Sequence, residues 1–359
     1  MKTPELSIII PAYNCSQSIE KIVGGIINQS YADFELIIVN DHSTDNTSDV
    51  LRELAKTDDR IRVINQRQNG GASVARNTGI KQSQGKYIMF FDADDDIRPN
   101  TLNTFVSTIK KCNCELVVSG FTVVNIKNNQ PVNSVDVCTN PLPKQQRGET
   151  WRLYILKLLG LDGRLYQVWN KIYLAEIIKN NKLQFPKGIN FGEDLLFNLD
   201  YLACMTKGIK FIQKPLYVYK QSLDAGTFSK SSLIYENRLQ NYQALEKFMS
   251  TEPNTVEKQS LLNWIKYNWM YSHLLAISSS TMTPAKKKAA IEAMADIDGH
   301  VPYSNKDIIG QKRVLIEKFL NFSIRHPRLA LCSIKFSSRL KNNRLTAGLW
   351  RRLRRNINR

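Results

Sequence analysis

The sequence predicts an α/β fold built on a doubly wound, mostly parallel sheet, with a helical region at its C-terminal end. Short apolar runs alternate with helically spaced apolar residues through about the first 120 positions. Polar loops rich in Asn, Asp and Gly follow those runs. From about residue 231 the alternation stops and helical spacing takes over. Strands and helices in strict alternation imply βαβ crossovers and a sheet covered on both faces.

The elements follow in order. Residues 6–10 form a first strand, and Ile19, Ile22, Val23, Ile26 and Ile27 share one helix face, with Asn14 and Ser16 available as caps. A second strand at 34–39 leads to a helix carrying Val50, Leu51 and Leu54. A third strand at 61–64 leads to a helix at 72–81. The fourth, at 87–91, leads to a helix carrying Leu102, Phe105, Val106 and Ile109, and residues 116–118 open a fifth. Between 125 and 143 the pattern loosens into a polar loop or irregular strand. A helix from Trp151, the segment Val168-Trp169-Asn170-Lys171-Ile172-Tyr173, a helix opened by Gly192-Glu193-Asp194 and a last strand at 216–219 follow. Helices are expected at 261–277 and 284–294. The division is 1–230 for the sheet domain, 231–310 for a helical extension and 311–359 for a basic tail.

Charge is unevenly placed. The chain carries a net +18, yet residues 311–359 hold 14 Lys and Arg against one acid, Glu317. The body is close to balanced, so nucleic-acid binding is not expected of it. No apolar run approaches the 18 or so residues of a membrane span, and the start, Met1-Lys2-Thr3-Pro4-Glu5, has no signal-peptide character; a cytoplasmic location is expected. The six cysteines form no CxxC pair and read as reduced structural thiols.

In open α/β sheets ligands gather at the carboxyl ends of the strands. There the chain places Pro11-Ala12-Tyr13-Asn14, Asn40-Asp41-His42-Ser43-Thr44-Asp45 and, after Phe90-Phe91, the run Asp92-Ala93-Asp94-Asp95-Asp96. Crowded carboxylates raise one another's pKa unless a cation intervenes, and hard oxygens suit Mg²⁺ or Mn²⁺. A solvated acidic turn is the plain alternative. A calcium EF-hand fails, because its sixth and twelfth positions are Ile97 and Asn103. Gly70-Gly71 is not a dinucleotide fingerprint, and no P-loop occurs.

These segments, with Ser7-Ile8-Ile9-Ile10-Pro11, Gly70-Gly71-Ala72-Ser73-Val74-Ala75-Arg76-Asn77, Gly85-Lys86-Tyr87-Ile88 and Glu193-Asp194, resemble the family 2 inverting glycosyltransferases of GT-A fold, over residues 5–222. Within that family the chain looks most like bacterial enzymes of capsule, lipopolysaccharide or exopolysaccharide assembly. The resemblance implies a nucleotide-sugar donor, UDP-linked, and a glycan or lipid-linked glycan acceptor. Pro11, Tyr13, Asn14, Asp41, Arg76, Asp92 and Lys171 would bind the donor, with Asp41 on the uracil and Arg76 on the nucleotide or diphosphate. Asp94 with Asp92 would hold Mn²⁺ or Mg²⁺, Asp95 would help, and Asp96 would be a turn or helix cap. Asp194 would be the general base, with Glu193 the alternative. His42 departs from the small residue expected there. Trp169 and Tyr217-Val218-Tyr219 read as packing, and for Lys171 a solvated position stands beside the ligand-binding one. A non-catalytic sugar-nucleotide binder and a metal phosphohydrolase are the rival functions. The intact Asp41, Asp92, Asp94 and Asp194 set argues against the first, and Pro11-Ala12-Tyr13, where a nucleophilic Asp would stand, argues against the second.

The tail mixes Val314, Leu315, Phe319 and Phe322 with cations and ends in Leu349-Trp350-Arg351-Arg352. That mixture suits a helix lying in an anionic membrane surface, giving a peripheral location at the inner face of the cell membrane.

Overall fold

The computed structural model describes residues 3–137, 149–161, 163–189, 191–223 and 231–279, with a few positions between 283 and 289. The chain divides into two units. One comprises Met1–Gln146 and Leu161–Asp224, the other Arg147–Gly160 and Ala225–Arg359.

The first unit opens with β1 (Leu6–Ala12), α1 (Ile19–Ile27), β2 (Phe34–Asn40), α2 (Thr47–Thr57), β3 (Ile61–Asn65), α3 (Gly71–Gln82) and β4 (Tyr87–Phe90). β1 and β2 are apolar on both faces because helices cover both; Ile8, Ile9, Ile10, Leu36, Ile37 and Ile38 are wholly buried. α1 buries Ile19, Ile22, Val23 and Ile26, the face its spacing predicts. Its cap is Ser18 rather than Asn14 or Ser16, since both of those side chains reach instead to the loop after β2. α3 lies so close to β1 that a Cβ on Gly79 would collide with Ile9. Only glycine permits that approach.

Then come β5 (Asp96–Ile97), α4 (Thr101–Cys112), β6 (Leu116–Lys127), β7 (Gln130–Val137), α5 (Trp151–Leu161), β8 (Lys171–Leu174), α6 (Ala175–Asn180), α7 (Glu193–Cys204), β9 (Ile209–Ser222), α8 (Ser231–Phe248) and α9 (Val256–Ser279). The sheet order is β3-β2-β1-β4-β8-β6-β9-β5, with β7 on β6. β3, β2, β1 and β4 are parallel. β8 runs antiparallel between β4 and β6, and β6 and β9 are parallel. The expected α/β sheet with mostly parallel strands is present.

One expectation is made specific and two are corrected. The loosened stretch beyond 125 is a hairpin: β6 and β7 pair antiparallel around Asn128 and Asn129, both at positive φ, as the favoured two-residue turn requires. Asp96 caps no helix; it pairs with Val218 in β5, and the cap of α4 is Asn100. Cys112 and Cys114 are disulfide-bonded rather than reduced, because Asn113 takes a left-handed conformation and folds their Cα atoms to 5.2 Å. Neither Cys15 nor Cys204 is in a disulfide.

The second unit contains α5, α8 and α9. Lys157 of α5 pairs with Glu149 at 2.6 Å and Glu257 at 2.7 Å, and the Arg152 guanidinium donates to the Phe248 carbonyl. Ile155, Leu156, Leu245, Met249, Leu261 and Ile265 are buried. The assignment of α5 to this unit was not foreseen. The 284–294 helix lies almost wholly outside the described residues, and the basic tail entirely so.

Candidate active site

The carboxyl ends of β1, β2 and β4 and the first turns of α3 enclose a cleft of about 400 Å³. Pro11, Tyr13, Asn14, Asp41, Arg76, Asp92 and Asp94 all line it. Tyr13 presents a half-exposed ring. Asn14, at φ 49, is a staple between loops: its Nδ2 donates to Thr44 Oγ1 at 3.1 Å and its Oδ1 accepts from Thr44 N–H at 2.8 Å. Asp45 accepts from Ser16 Oγ and Thr47 N–H. Hydrogen bonding from the Thr47 side chain foremost, then from the Thr47 N–H and from Ser16, lowers the Asp45 pKa to about 2.

Asp41 is buried, and its two oxygens accept from the N–H groups of Gly70 and Gly71 at 2.9 and 2.7 Å. It thus caps α3 from the loop after β2, and Gly71, at φ +81, supplies the turn that aims its N–H. His42 sits at φ 59. In that left-handed backbone a Cβ costs roughly 1–2 kcal/mol, a cost only glycine escapes.

Arg76 is the hub. It is only 4% exposed, yet it meets three carboxylates: Nη2 donates to Asp92 Oδ1 at 2.8 Å, and Nη1 to Asp194 Oδ1 at 3.1 Å and Glu193 Oε1 at 3.5 Å. Its guanidinium lies over the Phe185 ring at 5.3 Å. Burial works against its charge, but Asp194, Asp92 and Glu193 outweigh that and hold its pKa above the ordinary value. Its Nε is buried with no hydrogen-bond partner. Asp194 also accepts the Val168 N–H at 3.1 Å. Burial raises its carboxyl to about 7; Arg76 opposes this, while Glu193 and Asp92 add to it. Asp194 and Glu193 do not line the cleft themselves; Arg76 ties them to it.

The acidic loop is held from β9. Tyr217 Oη donates to Asp95 Oδ2 at 2.8 Å and accepts the Asp92 N–H at 3.1 Å. The Lys220 N–H donates to Asp95 Oδ1 at 2.8 Å, and its ammonium reaches the Asp94 carbonyl at 2.9 Å and Asp96 at 3.1 Å. Asp95, almost fully buried, is therefore committed to β9 rather than to a ligand. Burial, then the Asp92 charge, raises its pKa to about 8. Tyr217 is buried, as expected, but it is more than packing. Trp169 stacks on it at 4.4 Å and Phe91 at 5.6 Å. The roles of Tyr217, Lys220 and the Val168 N–H were missed, and the β5–β9 pairing that would reveal the first two carries no local signal.

Lys171 is corrected. It is wholly buried, neither solvated nor at the cleft, and its ammonium donates to the carbonyls of Arg164 and Gln167 and to Asn170 Oδ1. A buried ammonium persists where such oxygens replace its hydration.

The acids suit a hard divalent cation. Desolvation, then the neighbouring Asp92 charge, raises the pKa of Asp94, so a cation would relieve both. Among the described residues no group of three or more His, Cys, Asp or Glu could hold a metal ion. Asp92 and Asp94 would therefore supply only part of a shell. Mg²⁺ sites that borrow their remaining ligands from phosphates and water have this composition.

Such an arrangement can hold a divalent cation beside an anionic ligand, and the comparisons make the class specific. The Glycosyl transferase family 2 pattern matches residues 7–168. The uncharacterized glycosyltransferase EpsJ of Bacillus subtilis (strain 168) is 31% identical over 242 residues, spanning 67% of this chain and 68% of that one. S. aureus TarS 1–349 in complex with UDP-GlcNAc superposes with TM-score 0.53 at 18% identity, over 90% of this chain and 92% of that one. The mannosyltransferase PcManGT from Pyrobaculum calidifontis, in complex with GDP-Man and Mn²⁺, gives 0.51 at 16% identity, over 95% and 88%. The fold is GT-A. The chain belongs to glycosyltransferase family 2.

Proposed function

We propose that this glycosyltransferase moves a sugar from a UDP-linked donor to a glycan acceptor, with inversion at the anomeric carbon. The single observation that carries the reading is the Arg76 bridge, which joins a cleft carboxylate, Asp92, to the partly exposed Asp194. TarS supports UDP as the nucleotide, being a neighbour solved with UDP-GlcNAc. PcManGT, solved with GDP-Man and Mn²⁺, supports a divalent metal.

In this reading Tyr13 and Asp41 face the base and Asp92 the ribose. Asp92 and Asp94 would hold the metal, which when bound would supply Lewis-acid stabilisation to a departing nucleoside diphosphate. Arg76 is shared between Asp92 and Asp194, so an anionic diphosphate in the cleft competes for it. Withdrawal of that cation leaves Asp194 the more basic, as a residue taking the acceptor hydroxyl's proton requires. Base and leaving group on opposite sides of the sugar give in-line displacement. The acceptor is a surface polysaccharide intermediate, carried on a lipid, and the tail holds the enzyme to the inner membrane face. No helix among the described residues is long and apolar enough to cross a membrane.

The test is a panel of sugar nucleotides with Mn²⁺, with and without glycan acceptors. UDP release from one UDP-sugar that rises on adding acceptor supports the proposal. No turnover of any UDP-sugar, with turnover of a GDP- or CDP-sugar, overturns the donor assignment.

A further inference from the structure

α3 presents two faces. At about 100° per residue, Ala72 and Arg76 point to the cleft described above, while Val74, Asn77, Thr78 and Lys81 point the opposite way. There they line a second cleft of about 530 Å³, whose other wall is the end of α6 and the segment that follows it. Lys81, Lys179, Lys182 and Lys187 all line this cleft, and no acid does. Among the described residues no carboxylate pairs with any of the four.

The far wall is fixed in place. Asn77 Nδ2 donates to the Phe185 carbonyl at 2.9 Å and Asn77 Oδ1 accepts the Phe185 N–H at 2.8 Å. Lys182 at φ 52 and Gly188 at φ +76 turn the chain at either end of this wall. Lys179 is anchored by donation to the Ser83 carbonyl at 2.8 Å. Four like charges on a concave wall repel one another, and a cleft lined by one sign of charge concentrates anions.

The lining also limits the ligand. It includes no aromatic ring on which a base could stack, so it does not suit a nucleotide. Ile80, Ile178 and Leu183 give it apolar patches beside the ammonium groups. Lysine binds phosphate as a point charge. We infer that this cleft is a second anion site, distinct from the donor cleft, that binds a phosphate ester or diphosphate, whether lipid-borne or free. It lies across the width of α3 from Arg76, so a phosphate-linked substrate could be held there while the donor cleft is filled.

The experiment uses the full chain without divalent cations and with UDP in excess. Inorganic pyrophosphate and monomeric dihexanoyl phosphatidic acid are titrated separately by calorimetry into wild type, a Lys81→Gln/Lys182→Gln/Lys187→Gln variant and an Asp92→Asn/Asp94→Asn variant. The lysine variant is expected to bind at least one probe about tenfold or more weakly, with an unchanged melting temperature. The aspartate variant should bind as wild type does. Loss for pyrophosphate assigns a free phosphate ligand, and loss for the lipid alone assigns a lipid-borne one. Equal binding of both probes by the lysine variant, or loss only in the aspartate variant, overturns the inference.

Discussion

β1 to β4 present the side chains that line the cleft, whereas β8, β6 and β9 present almost none and hold the others in position. On the parallel side Pro11 lies near the end of β1, Asn14, Asp41, Asp92 and Asp94 follow strands, and Arg76 stands in the second turn of α3. On the other side Tyr217 and Lys220 grip the acidic loop, and the Val168 N–H grips Asp194. One half of the sheet supplies chemistry and the other supplies geometry. The difference is testable, because losing a chemical group and losing its support change different measurements.

The largest effect is expected for Asp194→Asn. Its amide keeps the Val168 bond but cannot take a proton, so turnover should fall by about 10²–10⁴-fold while UDP affinity stays near wild type. Near-normal turnover would transfer the role of base to Glu193.

Next comes the pH profile. The carboxyl of Asp194 lies near 7 and must be ionised to act as a base, so activity is present above that value and lost below it. Log kcat/KM should fall with unit slope below pH 7, reaching about a hundredfold loss by pH 5. A flat profile between pH 5 and 8 would contradict the assignment.

Tyr217→Phe removes support without touching the cleft. Asp95 loses a donor and the Asp92 N–H an acceptor, and a buried unsatisfied group costs about 1–3 kcal/mol. The Mn²⁺ concentration for half-maximal activation should rise about tenfold, with UDP binding in the absence of metal unchanged. An unaltered Mn²⁺ midpoint would reduce Tyr217 to packing.

Lys171→Met should leave activity alone. The carbonyls of Arg164 and Gln167 lose their donor, so stability should drop by about 1–3 kcal/mol with donor KM unchanged. A raised donor KM would restore Lys171 to the donor site.

Much of the parallel half could be read from the sequence, because its strands are short apolar runs and its ligand loops adjoin them. Asp41 and the acidic loop were found by position and Arg76 through the resemblance of its motif, and the cleft gathers them. The other half resisted for a physical reason: its meaning lies in pairings between distant segments. Asp96 resembles a cap until β5 pairs with β9, more than 100 residues later in the chain. Lys171 resembles an exposed cation until three oxygens surround it. The hairpin after 125 was legible, since Asn128-Asn129 is a turn signal, but the polar faces of β6 and β7 hid the strands around it. The shared Arg76 had no signal beyond its own motif, because its partners lie 16, 117 and 118 residues away.

The most direct test of the central claim is calorimetric titration of UDP into wild type, Asp94→Ala and Asp194→Asn, with Mn²⁺ and again with the metal chelated. Wild type and Asp194→Asn should bind UDP tightly with Mn²⁺ and weakly without it, and Asp94→Ala should bind weakly in both conditions. Metal-dependent binding that persists in Asp94→Ala, or is lost in Asp194→Asn, would contradict a cleft in which Asp94 holds the metal and Asp194 serves only as the base.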